Sequence, residues 1–102
     1  MAQRYTVTTL DALPPGTGKA FKVAGRQIGF FNVAGEVYAI DDICPHAGAS
    51  LVEGNLEGAI ISCPWHCAEF DVTNGKVLCQ PAVDDVQKFP VFVTGNTVEV
   101  EI

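Results

Sequence analysis

The sequence is short of positive charge and of long apolar runs. Six Lys and Arg residues stand against twelve Asp and Glu residues, which gives a formal net charge of −6 and a pI near 4.6. A surface of this sign repels phosphate backbones and anionic lipid headgroups, so we expect neither nucleic acid nor a membrane as partner. Every apolar run is only a few residues long, far below the ~18 residues that a membrane-spanning helix needs.

The length and composition are those of one small globular domain. A chain of 102 residues falls at the lower end of the usual domain scale, and 48% hydrophobic residues with 18% charged ones exclude a disordered chain. We therefore expect residues 1–102 to form a single domain. We also expect a monomer. The first ten residues contain one Arg and no apolar run, unlike a secretory signal, so the expected location is the cytoplasm.

The apolar pattern predicts an all-β fold. No segment keeps an apolar period of 3.6 residues for more than about a turn, whereas short runs rich in Val, Ile, Phe and Thr recur between Gly, Pro, Asn and Asp. Tight turns are predicted at Ala34-Gly35, Asn74-Gly75 and Gly95-Asn96. The predicted strands cover residues 5–9, 19–23, 27–33, 36–41, 59–62, 69–72, 76–79, 88–93 and 97–102.

One region, from residue 41 to residue 83, departs from the strand pattern. It is rich in Gly and Pro, its loops are too long for simple hairpins, and it contains all four Cys and both His. In a reducing compartment such cysteines favour metal ligation or unmodified thiols over disulfides. Something must hold these loops, and the positions of the two His decide between metal ligation and unmodified thiols. The acidic pairs near the ends of this region, Asp41-Asp42 and Asp84-Asp85, are expected to be solvated.

Two loops in this region carry the same pair of ligand types. Cys44-Pro45-His46 is followed, after 16 intervening residues, by Cys63-Pro64-Trp65-His66. Two thiolates and two imidazoles can hold a tetrahedral zinc ion, or a [2Fe–2S] cluster in which the thiolates hold one iron and the imidazoles the other. Zinc modules usually pair like ligands on one compact unit, but the spacing alone leaves both kinds of site open.

The pattern resembles the Rieske family of [2Fe–2S] proteins. This resemblance implies antiparallel sheets with a small cluster-binding subdomain at about residues 41–83. It also implies one Rieske-type cluster with Cys44, His46, Cys63 and His66 as ligands. Cys67 and Cys79 match no ligand position and are expected to be inert thiols, with a disulfide between them as the alternative. The resemblance rests on both ligand motifs and on Ala47-Gly48, Leu51, Gly54, Phe70-Asp71, Gly75-Lys76 and Pro81-Ala82.

The resemblance also implies a role as a one-electron carrier rather than an enzyme. Oxygenases with a Rieske domain hold a second iron on two His and one carboxylate, and this chain has no His beyond the two in the motifs. The protein looks like the soluble ferredoxins that pass electrons from a flavin-dependent reductase to a terminal ring-hydroxylating oxygenase, with docking on the histidine side of the cluster. The alternatives are the small subunit of an assimilatory nitrite reductase and a non-redox zinc or interaction module.

The resemblance further implies a low reduction potential. High-potential members of the family have a disulfide between the positions of Ala49 and Trp65. They also carry hydroxyl groups, which donate hydrogen bonds to sulfur, at the positions of Ala68 and Phe70. Such donors stabilise the reduced cluster, which is the more negative form. Their absence predicts a potential toward the lower end of the Rieske range of roughly −150 to +300 mV.

Overall fold

The computed structural model describes residues 3–44, 48–64, 68–79 and 84–102. Within these ranges the chain forms strands and two single-turn 3-10 helices, Leu10–Ala12 and Leu51–Glu53, so none of its described helices could span a membrane. The strands are β1 (Arg4–Thr9), β2 (Gly18–Val23), β3 (Arg26–Val33), β4 (Glu36–Asp41), β5 (Asn55–Glu57), β6 (Ile60–Ser62), β7 (Glu69–Asp71), β8 (Val77–Cys79), β9 (Lys88–Phe89), β10 (Val91–Thr94) and β11 (Thr97–Glu101).

The strands form three antiparallel sheets, which confirms the predicted all-β class. Their orders are β1-β11-β10, β2-β3-β4-β9 and β5-β6-β7-β8. The second of these is the middle layer, because successive side chains of a strand point to opposite faces and β3 is buried on both. Phe30 packs in one buried cluster with Val98 and Val100 of β11, and Phe31 packs in another with residues of the β5-β6-β7-β8 sheet.

Eight of the nine predicted strands match observed ones to within a residue at each end. The predicted strand over residues 88–93 is wrong as a single element, because Pro90 divides it into β9 and β10. Proline has no N–H for a sheet ladder. At this point the chain leaves β4, the partner of β9, and joins β11, the partner of β10. The carbonyl of Pro90 accepts a hydrogen bond from the Glu101 N–H at 3.0 Å.

One strand, β5, is absent from the sequence prediction. Its three residues contain no β-branched or aromatic side chain, so propensity did not indicate a strand. It forms because Leu56 pairs with Ile61 of β6, which is fully buried in the second core. The turns at Ala34-Gly35 and Gly95-Asn96 join β3 to β4 and β10 to β11 as predicted.

Candidate metal centre

The first cysteine loop, residues 43–50, follows β4. Ile43 and Ser50 form an antiparallel bridge at its base. The Cys44 N–H donates to the carbonyl of Ala49 at 2.8 Å, and the Gly48 N–H donates back to the carbonyl of Cys44 at 2.8 Å. These bonds turn the chain over a few residues and leave Cys44 only 1% exposed, whereas Gly48 is on the surface.

The second cysteine loop, residues 62–69, is built in the same way. Ser62 of β6 pairs with Glu69 of β7 at its base. The Cys63 N–H donates to the carbonyl of Ala68 at 2.8 Å, which repeats the closure of the first loop with a cysteine and an alanine five residues later. Cys63 is 4% exposed, and the following Pro64 is on the surface. The two loops therefore have equal length and equivalent closing bonds.

Both loops contribute to one buried core. Cys44 and Cys63 belong to the same cluster of buried side chains, together with the two closing alanines, Ala49 and Ala68. The structure thus brings together the two predicted cysteine ligands, which are 19 positions apart in the sequence. The other two predicted ligands, His46 and His66, lie outside the described residues, as does Cys67. Cys79 is the last residue of β8.

A glycine contact joins the end of the first loop region to the second. Gly54 follows the Leu51–Glu53 helix, and a Cβ atom placed on it would lie 1.7 Å from the carbonyl oxygen of Ser62. No side chain fits at that distance, although the φ of −83° would suit any residue. Gly54 therefore allows direct backbone contact beside Cys63, which explains why this position must be glycine.

A second backbone contact, between Gly75 and Val86, lies at the base of a third loop, which joins β8 to β9. The Val86 N–H donates to the carbonyl of Gly75 at 2.8 Å, and a Cβ atom on Gly75 would lie 2.2 Å from the Val86 carbonyl oxygen. Beside it, the Val77 N–H donates to Oδ1 of Asp85 at 2.8 Å. These contacts hold the stem of the loop, while its residues 80–83, including Pro81, lie outside the described part of the chain.

The burial of one acidic residue, Asp42, differs from the prediction. Asp42 was expected to be solvated with Asp41, but its side chain is fully buried, because Gln27, Ser50 and the backbone of Val52 all donate hydrogen bonds to it. A pair of adjacent acids gives no sign in the sequence that one of them is inside. The expectation holds for the other pair, since both Asp84 and Asp85 are exposed.

A groove between β4 and the turn after β7 is separate from the cysteine loops. Its lining includes Tyr38, Thr73 and Lys88. The Tyr38 hydroxyl donates to Glu36 at 2.8 Å, and this bond, with partial burial and the negative charges of Glu36 and Asp71, raises the pKa of the phenol above its usual value. Tyr38 is therefore neutral near pH 7, and nothing in this groove provides a cluster ligand.

Comparison with known proteins decides between the two kinds of metal site. The family model of the Rieske [2Fe–2S] domain matches residues 3–90. The chain belongs to the Rieske family. Within that family it carries one [2Fe–2S] cluster of the Rieske type, so a zinc site is no longer an equal alternative.

Several Rieske proteins are similar to this chain over most of their length. The ferredoxin component of the naphthalene 1,2-dioxygenase/salicylate 5-hydroxylase systems of Ralstonia sp is 44% identical over 82 residues, which cover 80% of this chain and 79% of the relative. The ferredoxin of carbazole 1,9a-dioxygenase from Nocardioides aromaticivorans IC177 superposes with a TM-score of 0.92 at 36% identity and covers 96% of both chains.

Two further solved structures bear on function. One is a complex of reduced oxygenase and oxidised ferredoxin in carbazole 1,9a-dioxygenase, which matches with a TM-score of 0.90 at 32% identity, over 95% of this chain and 91% of that one. The other, from Mycobacterium tuberculosis, is described as an NADH-dependent nitrite reductase small subunit. It matches with a TM-score of 0.88 at 25% identity, over 100% of this chain and 96% of that one.

The described donors fit a Rieske cluster. Such a cluster takes two thiolates on one iron, and the structure supplies two buried cysteines on equivalent loops in one core. Both loops close through a backbone bond at the cysteine itself. The two described cysteines therefore fit the thiolate side of such a cluster.

We predict that Gly54→Ala destabilises the protein by about 1 to 3 kcal/mol, the usual cost of overpacking. The added methyl group must displace the backbone at Ser62, next to Cys63, so cluster retention should fall as well. Thermal unfolding and the visible absorbance of the purified protein measure the two effects. Asn55→Ala is the control, because Asn55 is the next residue along the chain, is exposed, and bonds through its side chain to Glu57 on the surface. Equal stability of the two variants would contradict the contact.

Proposed function

We propose that this protein is the ferredoxin component of a ring-hydroxylating dioxygenase system. It carries single electrons in the cytoplasm from a flavin-dependent reductase to a terminal oxygenase and is not itself an enzyme. The observation that carries the proposal is the near full-length similarity to ferredoxin components of dioxygenase systems, at 44% identity in sequence and with a TM-score of 0.92 in structure. The carbazole dioxygenase complex supports an oxygenase as the electron acceptor.

The proposed cluster ligands are Cys44 and Cys63 for one iron and His46 and His66 for the other. Burial of both cysteines in one core supports the first pair, and the two histidines are the only ones in the chain. When bound, the cluster takes up and releases one electron. No His remains for a mononuclear iron site with two His and one carboxylate, which supports a carrier role rather than catalysis.

We further propose a monomer consisting of one domain over residues 1–102, in which residues 41–83 form the cluster-binding subdomain. The sheet orders support this division, since β5 to β8 pair only with one another among the described strands. The subdomain packs against the middle sheet, because Phe31 of β3 and Ile40 of β4 belong to the same buried core as its side chains. The cysteine loops therefore rest on the middle sheet.

Charge distribution supports docking at the cluster end. Residues 41–85 contain eight of the twelve carboxylates and one of the six cations, a net charge of −7, whereas the rest of the chain has a net charge of +1. This separation of charge orients the molecule toward a basic partner before contact. Beside the loops, Ile43 is 41% exposed and offers an apolar contact next to Cys44. The negative charge of residues 41–85 therefore favours partner proteins with basic docking surfaces.

A nitrite reductase small subunit is the second candidate function. The similarity to the protein from Mycobacterium tuberculosis, at 25% identity, favours it, but that similarity is weaker than those to the dioxygenase ferredoxins. The two roles differ in the partner, because a ferredoxin meets its partners transiently and a subunit stays assembled. A zinc or interaction module, the third alternative, does not fit membership of the Rieske family.

Stopped-flow mixing tests the proposed function. We expect the protein to be reduced by a flavin-dependent reductase with NADH and then to be reoxidised by a terminal ring-hydroxylating oxygenase, both from the same organism. Omission of the protein should stop product formation by the oxygenase. Co-purification with a large sirohaem subunit, together with no transfer to the oxygenase, would replace this proposal with the nitrite reductase role.

We predict that Cys44→Ala and Cys63→Ala abolish the visible absorbance of the cluster and loosen the loops, because metal binding and loop structure depend on each other. Cys79→Ser is the control and should keep the absorbance, since Cys79 ends an outer strand and matches no ligand position. Iron content and absorbance of the purified variants measure the effect. A full cluster complement in either alanine variant would overturn the ligand assignment.

We predict that electron transfer to the partners slows as ionic strength rises. Salt screens the attraction between the acidic residues 41–85 and a basic partner. Glu53→Gln, on the surface beside the first loop, should slow transfer at low salt more than Glu99→Gln on the outer sheet. Second-order rates from stopped-flow mixing measure both effects. A rate that is constant or rises with salt would indicate apolar or permanent docking instead.

We predict a low midpoint potential that Ala68→Ser and Phe70→Tyr each raise. Both side chains are fully buried in the core that contains Cys63, and Ala68 accepts the Cys63 N–H, so an added hydroxyl there lies inside the site. A donor near the sulfur atoms stabilises the reduced form. Protein-film voltammetry measures the midpoint, with Phe21→Tyr in the other core as control. A parent midpoint well above zero would contradict the prediction.

A further inference from the structure

Asp42 is a buried carboxylate beside the first cysteine loop. It is fully buried and lies two residues before Cys44. Gln27 Nε2 donates to Oδ2 at 2.6 Å, the Ser50 hydroxyl donates to the same oxygen, and the Val52 N–H donates to Oδ1 at 2.9 Å. The donors are an amide, a hydroxyl and a backbone N–H, so the carboxylate has three hydrogen bonds but no cation among its partners.

These bonds fix both ends of the first cysteine loop to β3. The main chain of Asp42 adds two more, because its N–H donates to the Gln27 carbonyl at 3.1 Å and its carbonyl accepts the Leu51 N–H at 2.6 Å. Asp42 precedes the loop, and Ser50 and Leu51 end it. A single side chain therefore joins the entry of the loop, its exit and the middle sheet.

The second cysteine loop closes without such a group. At the equivalent position, two residues before Cys63, stands Ile61, which is apolar and 1% exposed. Both loops nevertheless make the same bond from the cysteine N–H to an alanine carbonyl. Burying a carboxylate without a cation is unfavourable, so its presence beside only one of two equivalent loops calls for a role beyond loop closure.

We propose that Asp42 is a positioning residue for the first cysteine loop and that its negative charge lowers the reduction potential of the Rieske cluster. The inference rests on the proposed ligand Cys44, whose Cα lies within about 7 Å of that of Asp42 even in extended chain. Reduction adds negative charge to the cluster, and a fixed carboxylate nearby opposes it. Water screens this repulsion weakly, because the carboxylate is fully buried.

The test is the midpoint potential of the intact, cluster-loaded Asp42→Asn protein, measured by protein-film voltammetry. Asparagine keeps the size and one acceptor oxygen but removes the charge, so we expect the midpoint to move upward while the rhombic EPR signal of the reduced protein is kept. Glu57→Gln is the matched control, because it removes the same charge from an exposed position in β5. A midpoint for Asp42→Asn no higher than that of Glu57→Gln would overturn the proposal.

Two variants keep the test decisive if Asp42→Asn does not take up the cluster. Asp42→Ser removes the charge with a smaller side chain, and Asp42→Glu keeps the charge. We expect the midpoint of Asp42→Ser to lie above that of Asp42→Glu; equal midpoints would refute the role of the charge. The ligand assignment is tested separately. If Cys44→Ala kept its cluster, that assignment would fail, whatever the midpoint of the Asp42 variants.

Discussion

The closure of two equal loops onto one core is the constraint on which the rest of this structure depends. Each loop turns at a cysteine whose N–H is bonded to the carbonyl of an alanine five residues later. Both cysteines are thereby placed in the same buried cluster, although 18 residues separate them in the chain. The contact of Gly54 with Ser62 then holds the first loop region against the second. The proposed cluster would be held by both loops.

The middle sheet connects this site to the rest of the protein. Phe31 and Ile40 pack toward the cysteines, whereas the neighbouring Phe30 and Ala39 pack toward the outer sheet, so β3 and β4 serve two cores at once. Since the described ends of the loops rest on a sheet buried on both faces, we expect those ends to be held more firmly than the ends of surface loops. A firm site suits electron transfer, in which little atomic movement should accompany the change of charge.

Sequence reasoning predicted the parts of this protein that local pattern controls. Strands such as β3 and β4 were located because their apolar residues and bounding glycines are visible in the sequence. The ligand motifs led us to expect Cys44 and Cys63 close together, and both lie in one buried core; their role as ligands stays a prediction. The change of sheet at Pro90 and the strand β5 were not, because both depend on distant partners. The burial of Asp42 was also missed, since its three donors come from separate segments.

The central claim is that one cluster is held by two cysteines and two histidines, and the histidines can be tested directly. His46 and His66 are the only histidines in the chain, so protein labelled with ¹⁵N in histidine alone carries the label at those two residues. Pulsed EPR of the reduced, labelled protein should show strong couplings from two distinct ¹⁵N nuclei. A spectrum with no strong ¹⁵N coupling, or with only one, would contradict the account.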